Sequence, residues 1–190
     1  MATKHLSTFQ TEYLWELNIF PRMQLLALAE AIPEDAYGWR PAPDARTFSE
    51  VLVHIAGAMM MLLYRAEVFA PEVMEYCGTL EGKDMSTWVE MVHRGLAKEE
   101  SVTKKSDVIA LLKLGFTVVE REFSATSQEQ LAVQRDFGGE ITTARRIYLR
   151  ILAHTHEHMG QAVAYAREMG FHVPWPNPIK EMERMAAGVR

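Results

Sequence analysis

Apolar residues recur at helical spacing in four long stretches of the chain, and this periodicity predicts a helix in each. The first spans residues 7–32, where Phe9, Tyr13, Leu17, Phe20, Gln24 and Leu28 follow one another at intervals of three or four. Pro21 falls inside it. A proline there removes one backbone hydrogen bond and crowds the preceding turn, so the stretch either kinks or divides into two pieces. The second runs over residues 47–69. It opens on Thr47-Phe48-Ser49-Glu50, a capping box in which the Thr47 and Glu50 side chains satisfy free N–H groups reciprocally. The third covers residues 106–124, with Ser106 as its cap and Val108, Leu111, Leu112, Phe116, Val119 and Phe123 apolar. Gly115 inside it costs on the order of 1 kcal/mol against alanine. The fourth occupies residues 142–170, with Thr142 or Thr143 as cap. Gly170 stands just past its end and Pro174 prevents it from resuming.

The connections are less regular. Pro33, Pro41 and Pro43 place residues 33–46 in a loop. Residues 71–83 read as irregular, and Thr87-Trp88-Val89-Glu90 is a capping-box pattern for a short helix ending near Gly95. Residues 131–141, with Gly138-Gly139, read as a loop or small hairpin. The tail, residues 171–190, starts as a proline-rich strap, Trp175-Pro176-Asn177-Pro178, and finishes in a short helix. Four long apolar stripes must bury one another, so the expected architecture is an all-α four-helix bundle with short additional helices. At 190 residues one domain, spanning residues 1–190, is the natural division.

Composition narrows the function classes. A net charge of −5 with scattered lysines and arginines leaves no electrostatic footprint for nucleic acid. The longest apolar run, residues 51–63, contains a histidine and is too short to span a bilayer, so no membrane partner is expected. The start of the chain lacks the apolar core of a signal peptide. A single cysteine, Cys77, excludes an internal disulfide and fits the cytosol. These features together predict a cytoplasmic protein.

The candidate chemistry lies in the fourth helix. His154, His156 and His158 fall within five residues. On a helix His154 and His158 stand one turn apart on one face, with Gln161 and Tyr165 continuing the stripe, while His156 points away. Two imidazoles at i, i+4 can share one metal ion, and a third ligand must come from elsewhere. His54 is the best candidate, because it shares its face with Val51, Ala58 and Met61. His154 and His158 lie beside Ile147, Ile151 and Ala162. Three histidines among apolar neighbours are costly to desolvate singly, and a shared cation would relieve that cost. Glu157, Gln161 and Tyr165 receive no catalytic role. Glu90 and His93 form one Glu-x-x-His element without the second copy that a di-iron bundle needs. His5, His93 and His172 read as ordinary surface or packing residues, and Cys77 as incidental.

Three elements, Trp39-Arg40-Pro41, the helix start Ser49-Glu50-Val51-Leu52-Val53-His54-Ile55-Ala56, and His154-x-x-x-His158-x-Gly160-Gln161, resemble the DinB/YfiT-like superfamily in order and spacing. The resemblance runs from the first helix to Gly170. It implies an unusual four-helix bundle in which three histidines hold a divalent metal, often zinc or nickel, and the matching positions are His54, His154 and His158. It also implies frequent homodimers, and relatives that act on small molecules as thiol-dependent transferases or isomerases with a low-molecular-weight thiol. Many members carry a second histidine immediately before the last ligand, where this chain has Glu157. Two function classes remain open: a metal-dependent transferase or hydrolase, and a non-catalytic bundle that binds a metal or a small ligand.

Overall fold

The computed structural model describes residues 6–80 and 84–187. Its centre is α3, Phe48–Arg65, in which nearly every side chain is buried whichever way it points. A helix apolar on all sides must be surrounded. By length and composition α3 could cross a bilayer, more than residues 51–63 alone suggested, but 83% of it is buried inside the bundle. Around it pack α6 (Lys105–Ala125), α8 (Ala144–Glu168), α5 (Met85–Ser101) and the short α4 (Pro71–Cys77). The first long stretch lies against α6 and α8. The fold is thus all-α, a four-helix bundle with short additional helices.

The expected capping box of α3 is present. Thr47 Oγ1 accepts from the Glu50 N–H at 3.1 Å, and Glu50 Oε2 accepts from the Thr47 N–H at 2.7 Å. The preceding loop adds a further anchor, since the Trp39 carbonyl accepts from the Phe48 N–H at 2.9 Å and the Tyr37 carbonyl from Ser49 at 3.0 Å. Together these fix the start of α3, and with it the position of His54 two turns on.

The first stretch takes the two-piece form. α1 (Thr8–Leu17) and α2 (Met23–Ala31) are joined by a π-helical turn, Asn18–Arg22, that contains Pro21. The wider turn accommodates the proline without breaking the rod. α6 begins at Lys105, with Lys104 in the cap position, so Ser106 lies inside the helix and does not cap it. Gly115 lies where α6 meets α3. A Cβ there would sit 3.1 Å from Met59 Sδ and 3.4 Å from Ala56 Cα, so the absence of a side chain permits the close approach. Thr143 caps α8, and Gly170, at φ +84°, ends it. The N–H of Phe171 returns to the Ala166 carbonyl at 2.8 Å, and that of Gly170 to Arg167 at 3.0 Å.

Three expectations are corrected. Residues 71–77 are helical, because Pro71 occupies the first turn of α4, where a missing N–H costs nothing. α3 stops at Arg65, short of residue 69. Glu67 adopts φ +61°, and the N–H groups of Glu67 and Val68 return to the carbonyls of Tyr64 and Leu63, both at 3.0 Å. This is a glycine-type helix ending made by a glutamate. α5 is also no short helix. It is capped by Asp84, not by a Thr87–Glu90 box, and continues past Gly95 to Ser101. The remaining connection is the small hairpin. After α7 (Gln128–Ala132), β1 (Gln134–Phe137) pairs antiparallel with β2 (Glu140–Thr143) across the Gly138-Gly139 turn, and the tail ends in α9 (Pro178–Ala186).

Candidate functional site

His54 of α3 and His154 and His158 of α8 come together in the bundle. One ring nitrogen of each lies within 4.8 Å of the others, and the ring centroids are 5.0, 4.6 and 4.4 Å apart. All three are partly buried. α3 and α8 pack along their length, so one residue on α3 and an i, i+4 pair on α8 converge without distorting either helix. His156 points away, as the helical wheel requires, with Nε2 3.3 Å from Glu16 Oε1. His93 and His172 are exposed, and His5 lies outside the described residues. Cys77 is buried, and burial pushes its thiol up to about 12 despite Arg94 nearby, which leaves it no nucleophilic character at neutral pH.

Two of the three imidazoles are oriented by hydrogen bonds at Nδ1. Glu99 Oε1 lies 2.8 Å from Nδ1 of His54, and Gln161 Oε1 lies 2.7 Å from Nδ1 of His158. Gln161 Nε2 in turn donates to the Tyr165 hydroxyl at 3.0 Å, and the Tyr165 ring meets Trp39 edge to face at 5.4 Å. Sequence elements far apart in the chain, the Trp39 loop and the end of α8, thus hold one ring. Protonation at Nδ1 leaves Nε2 of His54 and of His158 with a free lone pair, the form in which imidazole binds a metal. Three converging imidazoles are a donor set suited to zinc, nickel and similar cations, so the residues present fit a divalent metal.

The surroundings favour the neutral form of His154 and His158. Burial is the largest cause lowering His154, helped by the proximity of His158, His54, Arg150 and Arg46, and brings it to about 3. Burial likewise lowers His158, against the opposing hydrogen bond to Gln161. Glu99 is the group that the sequence did not reveal. Burial alone would raise its carboxyl, but hydrogen bonds from His54 and Arg46 outweigh it and hold the carboxyl below its ordinary value. Arg46 Nε donates to Glu99 Oε2 at 2.6 Å. Glu157 is more than half exposed and pairs with Arg150 Nη1 at 3.0 Å, so it does not orient a ligand ring.

His54 and His154 border a cavity of about 300 Å³. Its far wall is apolar, formed among others by Met61, Leu62, Trp88 and Phe137. Trp88 and Phe137 lie 5.7 Å apart, which brings the hairpin over the cavity.

The sequence profile of the DinB superfamily matches residues 20–162, an interval that contains all three histidines. The chain belongs to the DinB superfamily. Solved structures agree on the fold. A DinB-like protein from Bacillus cereus ATCC 10987 is 16% identical, with a TM-score of 0.60 over 86% of this chain and 95% of its own. The DinB-like protein YjoA from Bacillus subtilis is 19% identical, with a TM-score of 0.52 over 86% of this chain and 96% of that one. YfiT from Bacillus subtilis, described as a probable metal-dependent hydrolase with an unusual four-helix bundle topology, is 16% identical, with a TM-score of 0.59 over 90% and 94%. No curated protein matches the sequence.

Proposed function

We propose that this DinB-superfamily protein is a divalent-metal-dependent enzyme acting on a small molecule, with His54, His154 and His158 as the metal ligands. The observation that carries this reading is the convergence of three imidazoles, whose nitrogens lie within 4.8 Å, at the edge of a 300 Å³ cavity. A closed structural site would need a fourth protein ligand, and none of the described His, Cys, Asp or Glu side chains completes one. When bound, a divalent cation such as zinc or nickel supplies Lewis acidity, which makes a nucleophile of water or of a thiol at neutral pH. The chain's own groups then have defined tasks. Glu99 and Gln161 hold the His54 and His158 rings in one tautomer, and the apolar wall keeps bulk water from the reacting centre.

We infer a transferase or isomerase using a low-molecular-weight thiol from the family resemblance, and a cytoplasmic location from the use of a single cysteine. Hydrolysis is the second reading, favoured by the description of YfiT as a probable metal-dependent hydrolase. A homodimer is in keeping with the exposed apolar residues Trp15 on α1, Ile19 in the π-helical turn and Met23 on α2.

The test is a screen of electrophilic small molecules with and without added thiols, on protein loaded with zinc or nickel and on chelated protein. Circular dichroism is recorded in parallel. The expected result is turnover that requires the metal, in a protein that stays helical when chelated. Thiol-dependent turnover supports transfer, and thiol-independent turnover supports hydrolysis. Metal uptake without any turnover would leave a non-catalytic metal-binding bundle. Failure to take up a metal, with all three histidines intact, would refute the site.

A further inference from the structure

The cavity beside His54 and His154 has both polar and apolar lining. The polar groups are His54, His154 and Glu99 together with two guanidiniums, Arg46 and Arg150. The apolar lining includes Met61, Leu62, Trp88, Val92 and Phe137, and along α5 Trp88 stands about three turns from Glu99. Arg150 stands one turn before His154 on α8, hence on the same face, and both guanidiniums are close enough to oppose protonation of His154. The two arginines differ in how they are held. Arg46 is committed to the buried carboxylate of Glu99 through two contacts, at 2.6 and 3.4 Å. Among the described residues, Arg150 is held only by Glu157, an exposed carboxylate whose pairing water and salt weaken. A divalent cation at the histidines would add to this positive charge, with Glu99 the one buried carboxylate among the described residues offsetting it.

We propose that the site takes a small amphiphilic monocarboxylate, its carboxylate at Arg150 beside the histidines and its aromatic or short aliphatic body against Trp88 and Phe137. This rests on the metal-site reading above and specifies its substrate class. The guanidinium fork matches a carboxylate, and exchanging the exposed Glu157 for a ligand carboxylate at the cavity mouth costs little. Size sets the rest. A protein cavity of about 150 Å³ admits one benzene molecule. A cavity of about 300 Å³ therefore admits a ring with a short acid side chain. The apolar wall discriminates against acids that lack an apolar body, because burying a polar tail there leaves it without partners.

The probe is 3-phenylpropanoate, compared with the neutral 3-phenylpropan-1-ol, by calorimetric titration into the full chain. Zinc alone is titrated first, so that metal uptake is known independently. On zinc-loaded protein the acid should bind at least ten-fold more tightly than the alcohol. Arg150→Met should remove most of that preference while leaving the affinity for the alcohol unchanged. Glu157→Gln, which frees Arg150, should tighten the acid several-fold. Trp88→Ala should weaken acid and alcohol alike. Both α8 positions are exposed, so these variants are expected to fold, and circular dichroism checks all three. Equal affinity for acid and alcohol, or a preference that survives Arg150→Met, would overturn the proposal while leaving a zinc-binding result intact. If zinc is not taken up, the metal reading fails. An Arg150-dependent preference in the metal-free protein would then still support the carboxylate site, and its absence would refute that as well.

Discussion

Glu99 on α5 accepts a 2.8 Å hydrogen bond from Nδ1 of His54 on α3, and Arg46 holds the same carboxylate from the other side at 2.6 Å. The pair fixes both the rotation and the tautomer of the imidazole, and so aims Nε2 at the other two histidines. Partners of this kind typically contribute 10- to 100-fold to metal affinity. Glu99→Gln is expected to lower zinc affinity by about that factor while leaving stoichiometry at one per chain. Competition with a chromogenic chelator measures both. Unchanged affinity would show that the His54 ring is held by packing alone.

The helical phase of α8 gives a sharper contrast. His154→Ala removes one of three converging nitrogens and should abolish measurable zinc binding. His156→Ala removes a ring that points towards Glu16 and should change zinc affinity by less than about two-fold, within the range of ordinary surface substitutions. The same chelator assay on both variants separates these outcomes.

Protonation links the site to stability. His154 is depressed from 6.5 to about 3 in the folded protein, chiefly by burial. Between those values the unfolded chain holds more protons than the folded one, so stability rises with pH across that window. The contribution is intact above pH 6.5 and is lost progressively as pH falls towards 3. Denaturant midpoints of the metal-free protein should fall across this range, and less steeply in His154→Leu. At His154 protons should compete with zinc only as pH approaches about 3, because the folded ring stays neutral above that value.

Close packing of α3 against its neighbours gives a test remote from the histidines. A Cβ on Gly57 would stand 2.1 Å from the Tyr76 hydroxyl oxygen and 2.9 Å from its ring carbon. Gly57→Ala is expected to destabilise the fold by about 1–3 kcal/mol. The Tyr76 hydroxyl is buried without a hydrogen-bond partner among the described residues, so Tyr76→Phe should be neutral or stabilising, by up to about 1 kcal/mol. Chemical denaturation of the two single variants and the double variant would show whether they couple.

The three histidines were legible because helical spacing alone sets which residues share a face, and because capping signals at Thr47 and at Thr142 or Thr143 located the starts of α3 and α8 to within a residue. Glu99 was not legible, and the reason is Gly95. In a sequence it reads as a terminator of α5. In the structure it is a buried interior position of α5, and the helix runs on past it to carry Glu99 into the site. Pro71 misled in the same way, since a proline at a first turn and a proline that breaks a helix look alike until the backbone is seen. Glu67 carries no local signal for its positive φ, so the early end of α3 depends on tertiary packing. The pairing of Arg46 with Glu99, 53 residues apart, is beyond local pattern altogether.

The wide turn at Asn18–Arg22 bears on how this chain tolerates changes in length. Tyr13, Leu17, Pro21 and Leu25 are all buried on one side although each is four residues from the last. Twelve residues of ordinary α-helix would carry Leu25 about 120° around the axis from Tyr13, whereas eleven would return it to within about 20°. The π turn is therefore the structural equivalent of one inserted residue, absorbed without rotating either half. Loss of one residue there would restore a plain α-helix with Tyr13 and Leu25 still facing the core. The same loss anywhere else in α1 or α2 would swing the following apolar stripe by about 100° towards water.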